Sequence, residues 1–371
     1  MTVDDKVDVA IIGAGVGGAM LALSLGRAGV NVLVLESGPG VPTRGADFLK
    51  PRGIRVLRDH GVLPAVLDKG ALRRDKINYY HDGQPLLELD FAEHSELGYY
   101  LVAPYGTIVE SLVEACAECP SVTIEFDSAV KHIDRSNDSG HIVYVHNGRT
   151  VHAGIVVGAD GFRSPVLTYV DASLAIRAYD HRMHATTLAA PMAERTGRLY
   201  FSSAGSFAYF YPVADDAARV FVGLPPALDE TLGAERGAML VEHLGSFVTD
   251  EENLPALADL AWQQVPVGAW QSPRLAHGTA VVLGHAAFSA HPMTGLGMSV
   301  TLEDATVIAA AITEALHTGQ PADQLLAEWY HRPRQDIHRR LIAYGDALAT
   351  SFPSVTSYRR CFQPRLHCGD R

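Results

Sequence analysis

Gly13, Gly15 and Gly18 follow directly on the apolar run Val7–Ile12, and Glu36 lies about 20 residues further on, at the end of the next apolar run, Val32–Leu35. Glycines at this spacing let a chain turn sharply and bring its backbone against a pyrophosphate. The helix that opens at Val16 offers unpaired N–H groups and the positive end of its dipole. A carboxylate ending the second strand accepts hydrogen bonds from ribose hydroxyls, so Glu36, with Ser37 beside it, completes a dinucleotide fingerprint. A plain glycine-rich turn would leave Glu36 unexplained.

Two further segments could do chemistry. Val156-Val157-Gly158-Ala159-Asp160-Gly161, then Arg163 and Ser164, reads alone as an apolar strand ending in an Asp-Gly turn. Val281-Val282-Leu283-Gly284-His285-Ala286-Ala287-Phe288 leads into His291-Pro292-Met293-Thr294-Gly295-Leu296-Gly297-Met298. There a buried strand gives way to a loop and then to a helix starting near Gly297, whose free N–H groups suit a partly negative ring edge. Each also reads as an ordinary junction.

The elements that must position these residues follow from periodicity. Strand, turn, helix, strand over the first forty residues is a βαβ opening. Residues 51–67 and 108–116 read as helices. Residues 76–90 read as a hairpin around Asp82-Gly83, and 198–224 as two or three antiparallel strands with a turn near Asp215–Asp216. From Leu302 to about Ala349 the pattern is helical. No internal repeat or long linker is visible, so the domains are expected to interleave.

Composition bounds the reading. The chain has 371 residues, 47% apolar and 19% charged, which supports a large core rather than disorder. The net charge of −12 disfavours nucleic acid as a partner. No apolar run reaches the length of a membrane span, and no secretory leader is visible, so a cytoplasmic setting is expected. Cys116, Cys119, Cys361 and Cys368 are too sparse for a disulfide scaffold. The Cys116–Cys119 pair reads as ordinary packing, and no metal is expected.

Together, in this order and spacing, the three motifs resemble the class A (para-hydroxybenzoate hydroxylase-like) FAD-dependent monooxygenases over essentially the whole chain. Gly17–Ala22, Gly45–Val56, Tyr80-His81-Asp82-Gly83, Phe207–Pro212 and Tyr344–Ser351 look most like the 2-aminobenzoylacetate N-monooxygenases of alkylquinolone biosynthesis. The resemblance implies an α/β fold. In it, a glutathione-reductase-type Rossmann FAD-binding domain (1–75, 99–170 and 271–325) interleaves with a smaller α+β substrate domain on an antiparallel sheet (76–98 and 171–270). A C-terminal helical segment (326–371) follows. It further implies hydroxylation of a small aromatic, an arylamine or a phenol-like metabolite, by O2 through a flavin C4a-hydroperoxide.

By the same resemblance, Gly13, Gly15, Val16, Gly18, Glu36 and Ser37 hold the adenosine half of FAD, and Lys50 and Tyr105 also bind the cofactor. Asp160 and Gly161 approach the flavin, and His285, Pro292, Gly295, Leu296, Gly297 and Met298 hold its ribitol and ring. No catalytic side chain is required, because the flavin performs the oxidation. Pro292, His291, Tyr209, Tyr211 and Tyr79, with Tyr200, are the candidates to line the substrate site. For each tyrosine, sheet-core packing is the competing reading. A single glycine-rich βαβ fingerprint leaves no room for a separate nicotinamide domain. Electrons would come from NAD(P)H bound transiently or from externally reduced flavin, with a flavin reductase as a possible partner.

Four positions depart from the family pattern. His285 replaces the usual ribitol-binding Asp, Phe288 a later His, Leu296 a Gln or Asn, and Tyr105 an Arg that contacts FAD. Losing one ribitol acceptor costs roughly 1–3 kcal/mol, although neutral His285 retains an acceptor nitrogen. These changes keep two other readings open: a flavoprotein with weak or no redox turnover, and another FAD-dependent oxidoreductase. Trp262, Trp270 and Trp329 lack the WxWxIP pattern of flavin halogenases.

Overall fold

The computed structural model describes residues 5–43, 45, 47–136, 140–170, 174–190, 196–232, 236–249 and 254–369. Among them, an eight-stranded sheet carries the path Ala276–His277, Ala280–Val282, Thr150–Gly158, Asp5–Ile12, Val32–Leu35 and Val122–Glu125. The four adjacent pairings from Ala280–Val282 to Val122–Glu125 are parallel. Parallel strands are covered on both faces, and their sequences are accordingly near-continuous apolar runs. Val9, Ala10, Ile11, Val34, Val156, Val157, Val281 and Val282 are fully buried. The helices Val16–Arg27, Tyr105–Ala117 and Gly297–Thr318 pack against one another or the sheet. The Cys116 thiol donates to the Ala19 carbonyl at 3.5 Å.

A second, seven-stranded sheet runs Gln263–Val265, Arg182–Leu188, Ala217–Leu224, Phe207–Ala214, Gly197–Phe201, Lys76–His81 and Gln84–Asp90. It is antiparallel except where Gly197–Phe201 joins Lys76–His81 in parallel. The expected hairpin turns at Asp82 (φ 45°) and Gly83 (φ 74°), the two positive φ values that a two-residue hairpin loop requires. Alternation along Phe207–Ala214 sorts its aromatics by face. Phe207, Tyr209 and Tyr211 join a cluster with Tyr79, Met293, Tyr344, Phe352 and Tyr358. Phe210 packs on the other face with Tyr200, Leu240 and Phe247.

The single helix expected over 51–67 is two, Pro51–Asp59 and Leu63–Asp68. Gly61 takes φ 59° between them, a left-handed conformation that ends a helix. The C-terminal region continues past Arg332–Ser351 into two short helices, Val355–Cys361 and Pro364–Cys368. These return the chain to the aromatic cluster.

Candidate active site

The glycine loop sits where the strand Asp5–Ile12 meets its helix. Gly13 adopts φ +99°, and a Cβ there would lie 2.7 Å from the Ala159 carbonyl oxygen; one on Gly18 would lie 2.0 Å from the Gly13 oxygen. Both clashes are with backbone, so only glycine permits this approach. The loop is thereby brought against Ala159-Asp160-Gly161, with the Ala159 N–H donating to the Ile12 carbonyl at 2.7 Å. Ser164 caps the following short helix by accepting the Val166 N–H at 3.1 Å.

Glu36 reaches back across the loop. Its Oε2 accepts the Ala14 N–H at 2.8 Å, and its Oε1 accepts the Gly38 N–H at 2.8 Å and the Ser37 hydroxyl at 3.2 Å. A carboxylate has about four lone-pair sites, so Glu36 retains capacity for a further donor such as a ribose hydroxyl. Val16 N–H, at the start of the helix, donates to the Tyr105 hydroxyl at 2.9 Å. A cradle this tight, at a helix N-terminus with an acid at its side, suits the adenosine and pyrophosphate of a dinucleotide.

The third motif folds as two short 3-10 turns and a long helix. Gly284–Ala286 contains His285, which is exposed, its ring edge-on to Trp270 at 5.8 Å and its carbonyl accepting Trp270 Nε1–H at 2.9 Å. Pro292–Thr294 ends at Gly295 in the left-handed region (φ 58°), and Pro292 is exposed. Leu296 precedes the helix Gly297–Thr318 without a side-chain cap. The first amides of that helix, at Gly297 and Met298, therefore belong to an end that no Leu296 side chain can satisfy. Phe288 stacks on His338 at 4.0 Å, and His338 Nε2 holds the buried Asp304 at 2.7 Å, with Arg334 on the other oxygen. That network anchors the helix.

His291 is fully buried. Its Nδ1 accepts the Met293 N–H at 3.1 Å, and its Nε2 lies 2.7 Å from His181 Nε2. The first bond leaves the proton of a neutral His291 on Nε2, so His291 donates to His181, which carries its own proton on Nδ1. Burial pulls His181 down to about 4, and burial with the neighbouring His181 takes His291 well below the ordinary imidazole range. His291 is thus a neutral brace for the loop beside Pro292.

The aromatic candidates divide. Tyr79, Tyr209 and Tyr211 share the cluster that contains Met293, whereas Tyr200 faces away, stacked on Tyr80 at 4.9 Å and edge-on to Phe210. The Tyr79 hydroxyl is engaged with His367 Nε2 at 3.0 Å, and the Tyr344 hydroxyl lies 3.2 Å from His367 Nδ1. The Tyr209 hydroxyl is buried and has no hydrogen-bond partner, and burial holds its pKa well above 10. Tyr211 lies towards Phe48, with rings 6.1 Å apart.

Lys50 is 1% exposed. Its Nζ donates to the Thr294 carbonyl at 2.6 Å and to the His367 carbonyl. Burial lowers its pKa to about 7, partly opposed by Cys368. Lys50 therefore braces the Pro292–Gly297 loop against the C-terminal segment. His181, Tyr344 and His367 were not legible as site residues, because all three arrive through tertiary contacts more than 20 residues long. Beside this loop a cavity of about 750 Å³ is lined by Arg52, His94, Leu296, Val300, Arg340 and Arg365, among others.

A model of the FAD binding domain matches residues 6–344. The chain belongs to the FAD-binding-domain family. The crystal structure of PqsL, a probable FAD-dependent monooxygenase from Pseudomonas aeruginosa, is 33% identical with a TM-score of 0.89, covering 96% of this chain and 100% of that one. PqsL has also been crystallised with 2-aminobenzoylacetate. The 3-amino-4-hydroxybenzoate 2-monooxygenase of Streptomyces cremeus is 28% identical over 91% of this chain and 86% of its own. The 6-hydroxynicotinate 3-monooxygenase of Pseudomonas fluorescens is 24% identical over 82% of each. This family member is an FAD-dependent oxidoreductase of the aromatic monooxygenase class. Among the described residues, no helix is long and apolar enough to cross a membrane.

Proposed function

We propose that this chain hydroxylates a small aromatic amine, with FAD and O2. The observation that carries the substrate class is the unpartnered Tyr209 hydroxyl. A buried hydroxyl without a partner costs roughly 1–3 kcal/mol, and it stands on an aromatic face with Phe207 stacked beside it at 5.2 Å. An arene fills such a face, and its amino or hydroxyl substituent satisfies the phenol. Two relatives named for amino-substituted aromatics, PqsL with its ligand and the Streptomyces cremeus enzyme, support this reading.

FAD supplies the activation of O2, and this chain's residues bind, orient and exclude water. Gly13, Gly15, Val16 and Gly18 would hold the pyrophosphate, and Glu36 with Ser37 the adenosine ribose. Asp160 and Gly161 would border the flavin, and His285 the ribitol. Gly295 and Leu296 would border the ring edge and the first helical amides, at Gly297 and Met298, would face it, with Pro292 packed beside it and held by the His291–His181 pair. Dry aromatic walls protect a reactive oxidant from water. Reducing equivalents reach the flavin from NAD(P)H or from a separate flavin reductase, in keeping with the single glycine-rich fingerprint.

Oxygen uptake with FAD, a reductant and a panel of anilines, aminobenzoyl compounds and phenols tests the proposal. Uptake stimulated by amino-arenes, with products 16 mass units heavier, is expected from insertion of one oxygen atom. Uptake indifferent to every arene would refute it.

A further inference from the structure

Tyr105 opens the helix Tyr105–Ala117, and its side chain is turned onto the glycine loop. Its hydroxyl accepts the Val16 N–H at 2.9 Å and would lie 3.1 Å from a Cβ on Gly15. The ring is pinned as well: a Cβ on Gly45 would come within 2.3 Å of it, so the absence of a side chain there lets the backbone lie against the ring. Below the ring, the Tyr105 backbone N–H is held by the buried Asp47 carboxylate, which Arg219 Nε grips at 2.7 Å. The two side chains that the structure places on the loop's amides are thus an acid, Glu36, and a phenol. Burial, with the nearby Glu36 charge, raises the phenol's pKa and keeps it neutral. Val16 N–H lies in the first turn of a 12-residue helix, the kind of donor that a pyrophosphate oxygen takes.

We infer that the Tyr105 hydroxyl is a resident stand-in for a pyrophosphate oxygen and that it sets how tightly this chain holds FAD. The inference rests on the FAD reading above. A phosphate oxygen arriving at Val16 finds a donor already satisfied, so binding exchanges one hydrogen bond for another. The displaced phenol must then be moved against a ring pinned by Gly45. An arginine at this position would add positive charge beside the phosphates, whereas the phenol adds none. A flavin without phosphates is indifferent to the exchange. The dinucleotide is therefore held as an exchangeable ligand rather than a permanent one.

The test is titration of FAD, ADP and riboflavin into the full chain and into Tyr105→Phe, followed by calorimetry, with a thermal melt to report folding. Phenylalanine keeps the ring against Gly45 and removes only the oxygen. FAD and ADP should bind the variant roughly 3- to 10-fold more tightly, the range expected for not having to displace one neutral hydrogen bond, with riboflavin unchanged. Tyr105→Leu, which also lacks the hydroxyl, should move FAD and ADP in the same direction. Equal or weaker FAD and ADP binding by folded variants overturns the inference, since the hydroxyl would then assist the phosphates. Failure of the unaltered chain and both variants alike to bind FAD or ADP overturns the cofactor reading itself, and the inference with it.

Discussion

Tyr209 carries two opposed duties. Its ring fills the sheet face, while its hydroxyl is buried without a partner, so the ligand-free protein bears a desolvation cost that a substrate can relieve. Tyr209→Phe should therefore stabilise the ligand-free protein by about 0.5–1.5 kcal/mol and raise KM for an amino-arene several-fold. Thermal melts and steady-state kinetics check both halves. A lower melting temperature with unchanged KM would show that the hydroxyl has no part in substrate binding. Tyr79 makes the contrast: its hydroxyl is engaged by His367, so the same substitution there removes a structural bond.

The loop Pro292–Gly297 is held between elements, and its acid sensitivity belongs to that scale. His181, just ahead of the strand that begins at Arg182, meets His291 from the loop, with Tyr179 edge-on to His291 at 4.6 Å and Asp180 beside His181. Asp180 favours the charged imidazole, but burial outweighs it. Both histidines titrate lower when folded than the ordinary imidazole value of 6.5. Between pH 6.5 and about 4 the unfolded chain binds protons that the native pair refuses, so their contribution is full above 6.5 and is lost as pH falls through this window. The loss approaches about 1.4 kcal/mol per pH unit for each histidine. Buried His141, at about 4, adds the same sign. Melting temperature measured from pH 7.5 to 4.5 should fall steeply below 6.5, and more shallowly in His181→Gln. Identical slopes would mean that the pair does not resist protonation.

At the scale of the whole molecule, the parallel sheet was readable because its strands are uninterrupted apolar runs, and because the glycine spacing at 13, 15 and 18 has one geometric solution. The hairpin at Asp82-Gly83 was readable for a similar reason: two positive φ values demand those residues. The split at Gly61 was missed because helical periodicity continues on both sides of it. Tyr200 and Tyr209 look alike in sequence, and only strand pairing shows that they face opposite ways. His181 and His367 carry no local signal, and Tyr344 stood in a segment that spoke for the family but not for the site. The C-terminal segment Pro364–Cys368 reaches the site by folding back over the cluster, a contact that no spacing encodes. The net charge of −12 has no counterpart in the site and receives no explanation from it.

If the chain works as proposed, one atom of O2 passes to an aromatic amine held on this sheet face. A single-turnover reaction tests it most directly: FAD reduced chemically on the protein, mixed with 18O2 and an amino-arene, and the product weighed. Chemical reduction removes any dependence on the natural electron donor. A hydroxylated product carrying one 18O atom is expected, with a lower yield from Tyr209→Phe. Reoxidation of the flavin with all the labelled oxygen released as hydrogen peroxide or water, for every amino-arene that binds, would contradict it.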